Sequence, residues 1–286
     1  MRDAKIFSFV ILLTLTLACA AVNVSEPRSV QNKSEDNPAY PLVIKASPAR
    51  QQAAEEAWSN FLSEHRINYV KPDLEPVLYT PRSLPLSIAN QLSIKPAGAN
   101  LNDSIDEMKA KDLLRGFIER SHPILVGDQR ANSLSLKDLS LTAFSADNNT
   151  YRATYQQMNF PAPLANGYGE LRIVISKAGR LLQLSSRLLP PTEFPALSTI
   201  DSATIPNKLM GREFTYSNLA GQPLTYKVTR REEIILKDQV VYPKLEQDKL
   251  TLYLAYPVEV GRGTTWTVYI DAVSGQEIDV KQNFVT

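Results

Sequence analysis

The stretch "WTVYIDAVSGQEIDV", residues 266–280, decides the fold that the sequence predicts. Apolar and polar residues alternate before and after a short turn, which is the pattern of two half-buried strands in a hairpin. Because side chains alternate between the two faces of a strand, Trp266, Val268 and Ile270 share one face. We expect that face to be buried, with Trp266 packed on a helix.

The turn of this hairpin has its own chemistry. Asp271 can accept hydrogen bonds from the backbone N–H groups that follow it, and Gly275 can adopt a positive φ without steric cost. Both residues are therefore predicted to have a structural role in the turn.

Strand-like alternation extends over most of the second half of the chain. It forms two blocks, residues 134–190 and residues 224–284, with a short helix predicted at 198–211 between them. The order of elements, with further helices before the first block, indicates an α+β protein. We expect two antiparallel sheet units, each with helices packed on one face.

Two longer helices are predicted before the strands, because apolar residues recur there at three-to-four spacing. The first covers residues 47–66 and begins at a Ser-Pro pair. The second covers residues 102–122, with Ser104 and Glu107 as a capping box and Pro123 as its end.

The composition indicates a globular protein and gives no electrostatic reason to expect nucleic acid. The 286 residues include 31 Lys+Arg and 30 Asp+Glu, and 43% are hydrophobic. A near-neutral chain without a long basic run lacks the charge that a phosphate backbone attracts. The single cysteine excludes an intramolecular disulfide framework, so packing must stabilise the fold.

The first residues are typical of a bacterial export signal. A short basic start precedes 12 uncharged residues, 6–17, too few for a membrane-spanning helix, which needs about 20. "LTLAC", residues 15–19, resembles a lipobox, in which Cys19 is acylated and becomes the new N-terminus. We therefore expect a lipid-anchored protein of the bacterial cell envelope, with its soluble domain in the periplasm or at the cell surface. Plain secretion is the alternative.

The domain organisation follows from these segments. Residues 1–18 are the predicted lipoprotein signal peptide, and the polar, aperiodic residues 19–47 are predicted to be a flexible tether. An N-terminal helix and a proline-rich extended segment occupy 48–100, where the prolines indicate either a strap over the body or a spacer. The two sheet units are expected at 101–197 and 198–286.

Three segments carry a resemblance to a known family. They are "FIERSHPILVG" (117–127), the strand–Gln-Gln–strand–turn–strand unit within 151–190, and the stretch from "LTLYLAYPVEV" to "IDVKQNF" (250–284). In this order they resemble the propeptide of secreted thermolysin-type metalloproteases, and the last resembles its PepSY module. The resemblance covers roughly 180 of the 286 residues. One departure is "MNFPAP" (158–163), where the family usually has Asn-Gly or Lys-Gly.

The resemblance implies a PepSY-like and cystatin-like fold without a catalytic role. Propeptides of this family assist the folding of their protease and hold it inactive. No protease segment follows residue 286 in this sequence, so we expect no action in cis.

The sequence lacks the residue patterns of common catalytic sites. A zinc site of the thermolysin type needs His-Glu-x-x-His, whereas the two histidines, His65 and His122, are 57 residues apart. There is no Gly-x-Ser-x-Gly, and "GRG" (261–263) lacks the Lys-Ser/Thr of a phosphate-binding loop. We expect no enzymatic activity, no metal and no cofactor.

The segment "TYQQ", residues 154–157, supplies the candidate partner-binding residues Tyr155, Gln156 and Gln157, although ordinary strand patterning is the favoured explanation. The expected function is that of a non-catalytic envelope lipoprotein that binds an envelope or secreted protein. A secreted protease, modulated or helped to fold, is one candidate partner. The alternatives are a structural or assembly lipoprotein of the envelope and a carrier of a small ligand between the two units.

Overall fold

The computed structural model describes residues 39–96, 98–100, 102–127, 136–195, 197–217, 222–262 and 264–283. The predicted signal peptide, Cys19 and nearly all of the predicted tether therefore lie outside the described residues. The described elements are, in chain order, β1 Leu42–Lys45, α1 Pro48–Glu64, β2 Asp73–Leu74, β3 Pro81–Ser83, α2 Glu107–Arg120, α3 His122–Val126, β4 Leu139–Ala146, β5 Thr150–Gln157, β6 Glu170–Ser176, β7 Leu181–Ser186, α4 Ile205–Leu209, β8 Glu213–Ser217, β9 Pro223–Lys227, β10 Ile234–Leu236, β11 Val240–Glu246, β12 Lys249–Arg262, β13 Thr264–Asp271 and β14 Glu277–Asn283. The predicted α+β class, with antiparallel sheets, is confirmed.

The first unit packs α1, α2 and α3 on one face of a four-stranded antiparallel sheet of order β4-β5-β6-β7. Alternate residues of β5 point into this core, and Tyr151, Ala153 and Tyr155 are all at most 8% exposed. Trp58 of α1 is 1% exposed in the same core, and its indole N–H donates to Val70 O at 2.8 Å. The helix predicted at 47–66 is confirmed by α1.

The second predicted helix begins and ends differently from the prediction. Asp106 caps α2, accepting from Lys109 N at 2.7 Å, so the predicted Ser104–Glu107 capping box is wrong. Pro123 does not stop the helical region, because a proline in the first turn of a helix lacks only an N–H that has no intrahelical partner. It lies in the first turn of α3 instead.

The second sheet is built around β12. One edge of β12 pairs with β10 and β11, and the other pairs with β1 and β13, which lie end to end; β14 pairs with β13. Every second residue of β12 from Leu250 to Val260 points to one face, and Leu250, Leu252 and Val258 are fully buried there.

The strand β1 corrects the predicted extent of the tether. Residues 42–45 pair with residues 249–252 of β12, and Ile44 is 7% exposed. Four residues are too few to show an alternation of apolar and polar side chains, so the sequence predicts a tether here and not a strand. The globular fold therefore includes the last residues of the predicted tether.

Trp266 is buried as expected, at 3% exposure, but it does not pack on a helix. It stacks on Phe214 and Tyr226 of the β8–β9 hairpin, with ring centroids 4.9 and 5.4 Å apart. Neither β8 nor β11 was predicted, and the strand expected from residue 224 to 237 is divided into β9 and β10. The helix predicted at 198–211 is reduced to α4 and a preceding 3-10 turn.

Part of the proline-rich segment is buried in the interior of the protein. Its residues 75–80 lie at the junction of the two units, where Val77, Leu78 and Thr80 are at most 2% exposed. Val77 has φ 65 at the centre of a tight turn, in which Leu78 N donates to Pro76 O at 2.7 Å. The side chains of Val77 and Leu78 belong to the core of the second sheet, while Thr80 Oγ1 donates to Ser186 O of β7 at 2.5 Å.

The long connection between β5 and β6 also joins the units. Val241 N of β11 donates to Pro163 O, and Ala165 N donates to Val241 O, both at 2.9 Å. This connection contains "MNFPAP", the stretch that departs from the family pattern. From residue 38 onward the chain forms one compact unit. Among the described helices, none combines the length and the apolar character that crossing a membrane requires.

Candidate functional site

The predicted turn residues organise a buried polar cluster. Asp271, 6% exposed, accepts from Val273 N at 2.9 Å and from Ser274 Oγ at 2.7 Å, while Gly275 has φ 70. The sequence analysis missed a further partner, since Tyr40 OH donates to Asp271 Oδ1 at 2.6 Å. Burial, followed by the bond to Asp271, raises the pKa of Tyr40 well above its usual value. The arrangement fixes the start of the described chain to the β13–β14 turn.

The three candidate partner-binding residues have internal contacts. Tyr155 and Gln157 are 8% and 2% exposed, so their side chains do not form an outer surface. The Gln157 side chain pairs with the backbone of Leu189, accepting at 3.0 Å and donating at 3.2 Å. Gln156 is half-buried and donates to Tyr168 O at 3.1 Å. Burial and internal hydrogen bonds occupy these side chains.

A concave surface lies away from these three residues, at the place where α1 and α2 end side by side. We call it the helix-end groove and define it by Phe61, Glu64, His65, Arg66, Lys95, Phe117 and Arg120. Its main cavity has a volume of about 660 Å³. A neighbouring cavity of about 320 Å³ shares Phe61, Glu64 and Arg120 and continues past Asn60. The two together form one surface along the helix ends.

Aromatic rings form the floor of the helix-end groove. Phe61 and Phe117 are buried and meet edge to face, with centroids 6.2 Å apart. The His65 ring lies on Phe61 at 4.7 Å, and its Nδ1 is 2.8 Å from Phe61 O, a geometry in which Nδ1–H donates to the carbonyl. The other ring nitrogen, Nε2, takes no part in this bond.

The end of α1 places a cation on the rim. Ile67 N donates to Leu62 O at 3.0 Å and Arg66 N donates to Ser63 O at 2.9 Å, which is the Schellman arrangement. Glycine is usual at the left-handed position of this motif, whereas here it is Arg66, with φ 56. The sequence therefore places a charged residue at a position where glycine is the favoured residue.

Two further cations complete the rim. Arg120 Nη2 donates to Ile94 O at 3.1 Å, and Lys95 Nζ donates to Asn100 O and Asp103 O, both at 2.7 Å. All three acceptors are backbone carbonyl oxygens, so these contacts hold the side chains in place without neutralising their charge. Among the described residues that line the groove, Arg66, Lys95 and Arg120 are basic, and one, Glu64, is acidic.

Two arginines outside the groove share a buried carboxylate. Arg187 donates to the buried Glu75 at 2.8 Å, and Arg82 lies 3.6 Å from the same carboxylate. The hydrogen bond to Glu75 raises the pKa of Arg187. These three residues line a cleft of about 420 Å³, which lies beside the junction of the units and is lined by charged and polar residues. A carrier of an apolar ligand would need an apolar lining, whereas this cleft is lined mainly by charged and polar side chains.

The titratable groups with shifted pKa values have structural partners. Glu233 is buried and accepts from Thr229 N at 3.1 Å and from Arg230 N at 3.3 Å; the backbone bond from Thr229 is the main cause that lowers its pKa to about 2. His122 lies buried at the start of α3. In the part of the chain that the structure describes, no cluster of three or more His, Cys, Asp or Glu side chains could hold a metal ion.

Comparisons with known proteins give distant structural likeness alone. No protein-family model and no curated protein matches the chain. Among solved structures, the Bacillus megaterium YpeB C-terminal domain aligns with a TM-score of 0.29 and 12% sequence identity, over 83% of this chain and 98% of that one.

Proposed function

We propose that this chain is a non-catalytic, lipid-anchored envelope protein that binds a protein partner through the helix-end groove. The observation that carries the proposal is the unneutralised positive rim above an aromatic floor. A peptide segment with an acidic residue next to an aromatic or long apolar one would match both features, since the ring packs on Phe61 and the carboxylate meets the rim.

A large part of the binding free energy should come from the aromatic floor. A large part of the specificity should come from the charged rim. Aromatic anchors in desolvated pockets dominate protein interfaces, whereas exposed charges chiefly set the association rate and the partner choice. A secreted protease remains the candidate partner that the propeptide resemblance suggests. A binding role of this kind requires no bond-making chemistry from the groove.

Site-specific photo-crosslinking in the native cells tests the groove. A photoreactive residue at Asn60, which lines the groove and is exposed, should give a specific protein adduct. The same residue at Gln183, exposed on the outer face of β7, should not. Equal adducts at both positions would argue against the groove as the binding surface.

Arg66→Gly is a suitable variant because it removes a rim charge and favours the helix end. Glycine is preferred at a left-handed position, so we expect unchanged or slightly raised stability, by up to about 1 kcal/mol. The adduct at position 60 should weaken at least about threefold in this variant. Asn90→Gly is the matched control, because Asn90 also has a positive φ, 67, and does not line the groove.

The lipid anchor is tested separately. Mass spectrometry of the N-terminal peptide should find Cys19 acylated, and Cys19→Ser should release the protein from the membrane fraction. An unmodified Cys19 in the cell-derived protein would remove the lipoprotein part of the proposal and leave the groove unaffected.

A further inference from the structure

We propose that β4 pairs with β4 of a second copy across a two-fold axis and so joins two four-stranded sheets into one. This self-association is independent of the helix-end groove. It is carried by the exposure, the composition and the side-chain pattern of Leu139–Ala146.

In the described part of the chain, no segment covers the outer edge of β4. At the opposite edge of the same sheet, Leu181 N donates to Leu92 O at 2.8 Å and Ile94 N donates to Gly179 O at 3.0 Å, so a segment of chain covers β7. The outer strand β14 carries three charged residues, which oppose strand pairing. Among the described residues, no strand lies beyond β4.

The composition of β4 favours pairing. Its sequence, LSLTAFSA, has no charge, proline or glycine, and these are the residues that natural proteins place on edges to prevent association. Six of its eight residues are exposed, among them Leu141 at 37%. An uncharged edge strand of this length is a site where another strand adds.

A β-bulge determines which side chains share a face. Leu141 lies opposite Tyr155 and Ala143 lies opposite Thr154, so Thr142 is an extra residue in β4. Before the bulge Leu139 and Leu141 point to the helix-covered face, and after it Phe144 and Ala146 do. Because of the bulge, these four apolar side chains share one face, although Leu141 and Phe144 are three residues apart and not two.

This pattern is symmetric about the middle of the strand, and the symmetry identifies the partner as a second copy. Counted from either end of β4, the first four side chains point inward, outward, inward and outward. An antiparallel pair of identical strands centred there places apolar residues opposite apolar ones and serine opposite serine, in the pairs Leu139–Ala146, Ser140–Ser145, Leu141–Phe144 and Thr142–Ala143. Such an interface is isologous, so each favourable pair occurs twice.

The bulge does not disrupt the new ladder. Bulges often blunt sheet edges because they add a residue that the neighbouring strand cannot match. Here the two-fold axis places the extra residue of one β4 beside that of the other. Each strand therefore presents eight residues to the eight residues of its partner. Phe144 of one copy and Leu141 of the other would pack on each other and bury apolar surface that is partly exposed in the single chain. The interface is small, so we expect a dimer dissociation constant in the micromolar range, roughly 1 to 100 μM.

Sedimentation velocity on the full chain with Cys19→Ser, from about 1 to 300 μM, tests the association. We expect a monomer–dimer equilibrium. Leu141→Lys should weaken it at least about tenfold, because a lysine would face Phe144 at two places across the axis. Leu224→Lys, at a leucine 41% exposed on β9, is the matched control and should leave the dimer intact. Circular dichroism and the urea midpoint of each variant report whether it remains folded.

A register-specific crosslink makes the test independent of affinity. Ser140→Cys with Ser145→Cys, in the Cys19→Ser background, should form an intermolecular disulfide dimer under mild oxidation. The two positions of one strand are about 16 Å apart and cannot bridge within a copy. Ser140→Cys alone would need a different register and should crosslink poorly. A monomer at every concentration, a dimer that Leu141→Lys leaves unchanged, or equal crosslinking by the single variant would each overturn the proposal.

Discussion

At the scale of single residues, each buried carboxylate has donors that fix its position. Glu75 binds Arg187, Glu233 binds the backbone of a short turn, and Asp271 binds Tyr40 and its own turn. A buried charge without such partners would destabilise the fold. The sequence shows the acids but not the partners, because Tyr40 and Asp271 are 231 residues apart.

Tyr40→Phe should destabilise the fold by about 1 to 3 kcal/mol. The variant removes the donor to Asp271 and the acceptor of Leu254 N, which lies 3.1 Å from Tyr40 OH. Urea unfolding followed by circular dichroism measures the change. Tyr69→Phe is the control, since Tyr69 is 57% exposed and should tolerate the same loss. Equal midpoints for the two variants would contradict the assigned role of Tyr40.

Glu233 should give the fold an acid-sensitive contribution. Its pKa is lowered from the ordinary 4.5 to about 2, so its stabilising effect is complete above pH 4.5 and is lost as the pH falls towards 2. Glu233→Gln should therefore be less stable than the wild type at pH 7, with a smaller difference at pH 3. Glu232→Gln, at the exposed neighbour, should show no such dependence. A difference in urea midpoint that stays constant from pH 7 to 3 would contradict this account.

At the scale of elements, periodicity predicts the long strands and helices and fails where neighbours decide. The strands β5, β6, β13 and β14 and the helix α1 follow from their own residues. In contrast, β1 has four residues and β8 joins a hairpin that is stabilised by stacking on Trp266. The helix-end groove could not be predicted either, because it forms only when two helices separated by 42 residues of chain, Glu64 to Glu107, end together.

The strand β1 should be essential to the folded unit. A chain beginning at residue 39 should keep the unfolding midpoint of the full chain, whereas one beginning at residue 46 should lose more than about 3 kcal/mol. The shorter chain lacks the ladder to β12, the buried Ile44 and the bonds of Tyr40. Urea titration of both chains measures the difference. Similar stability of the two would show that β1 is a dispensable addition to the sheet.

At the scale of the whole molecule, two segments connect the two sheets. Residues 75–80 contribute to both units, the β5–β6 connection pairs with β11, and Lys281 of β14 donates to Asn166 of that connection at 2.9 Å. Buried contacts of this number and kind make independent unfolding of either unit costly. We therefore expect residues 39–283 to unfold as one cooperative unit.

The two tryptophans allow this cooperativity to be measured, because Trp58 lies in the core of the first unit and Trp266 in that of the second. In Trp58→Phe and Trp266→Phe, fluorescence then reports one unit at a time, and each urea midpoint should coincide with that from far-UV circular dichroism. Gly127→Ala perturbs the junction, since a Cβ at Gly127 would lie 2.3 Å from Leu78 O and the residue has φ 60. Added to either single-tryptophan chain, it should lower both midpoints together. A shift confined to the Trp58 signal would show that the first unit unfolds by itself and that the connecting segments do not couple the two sheets.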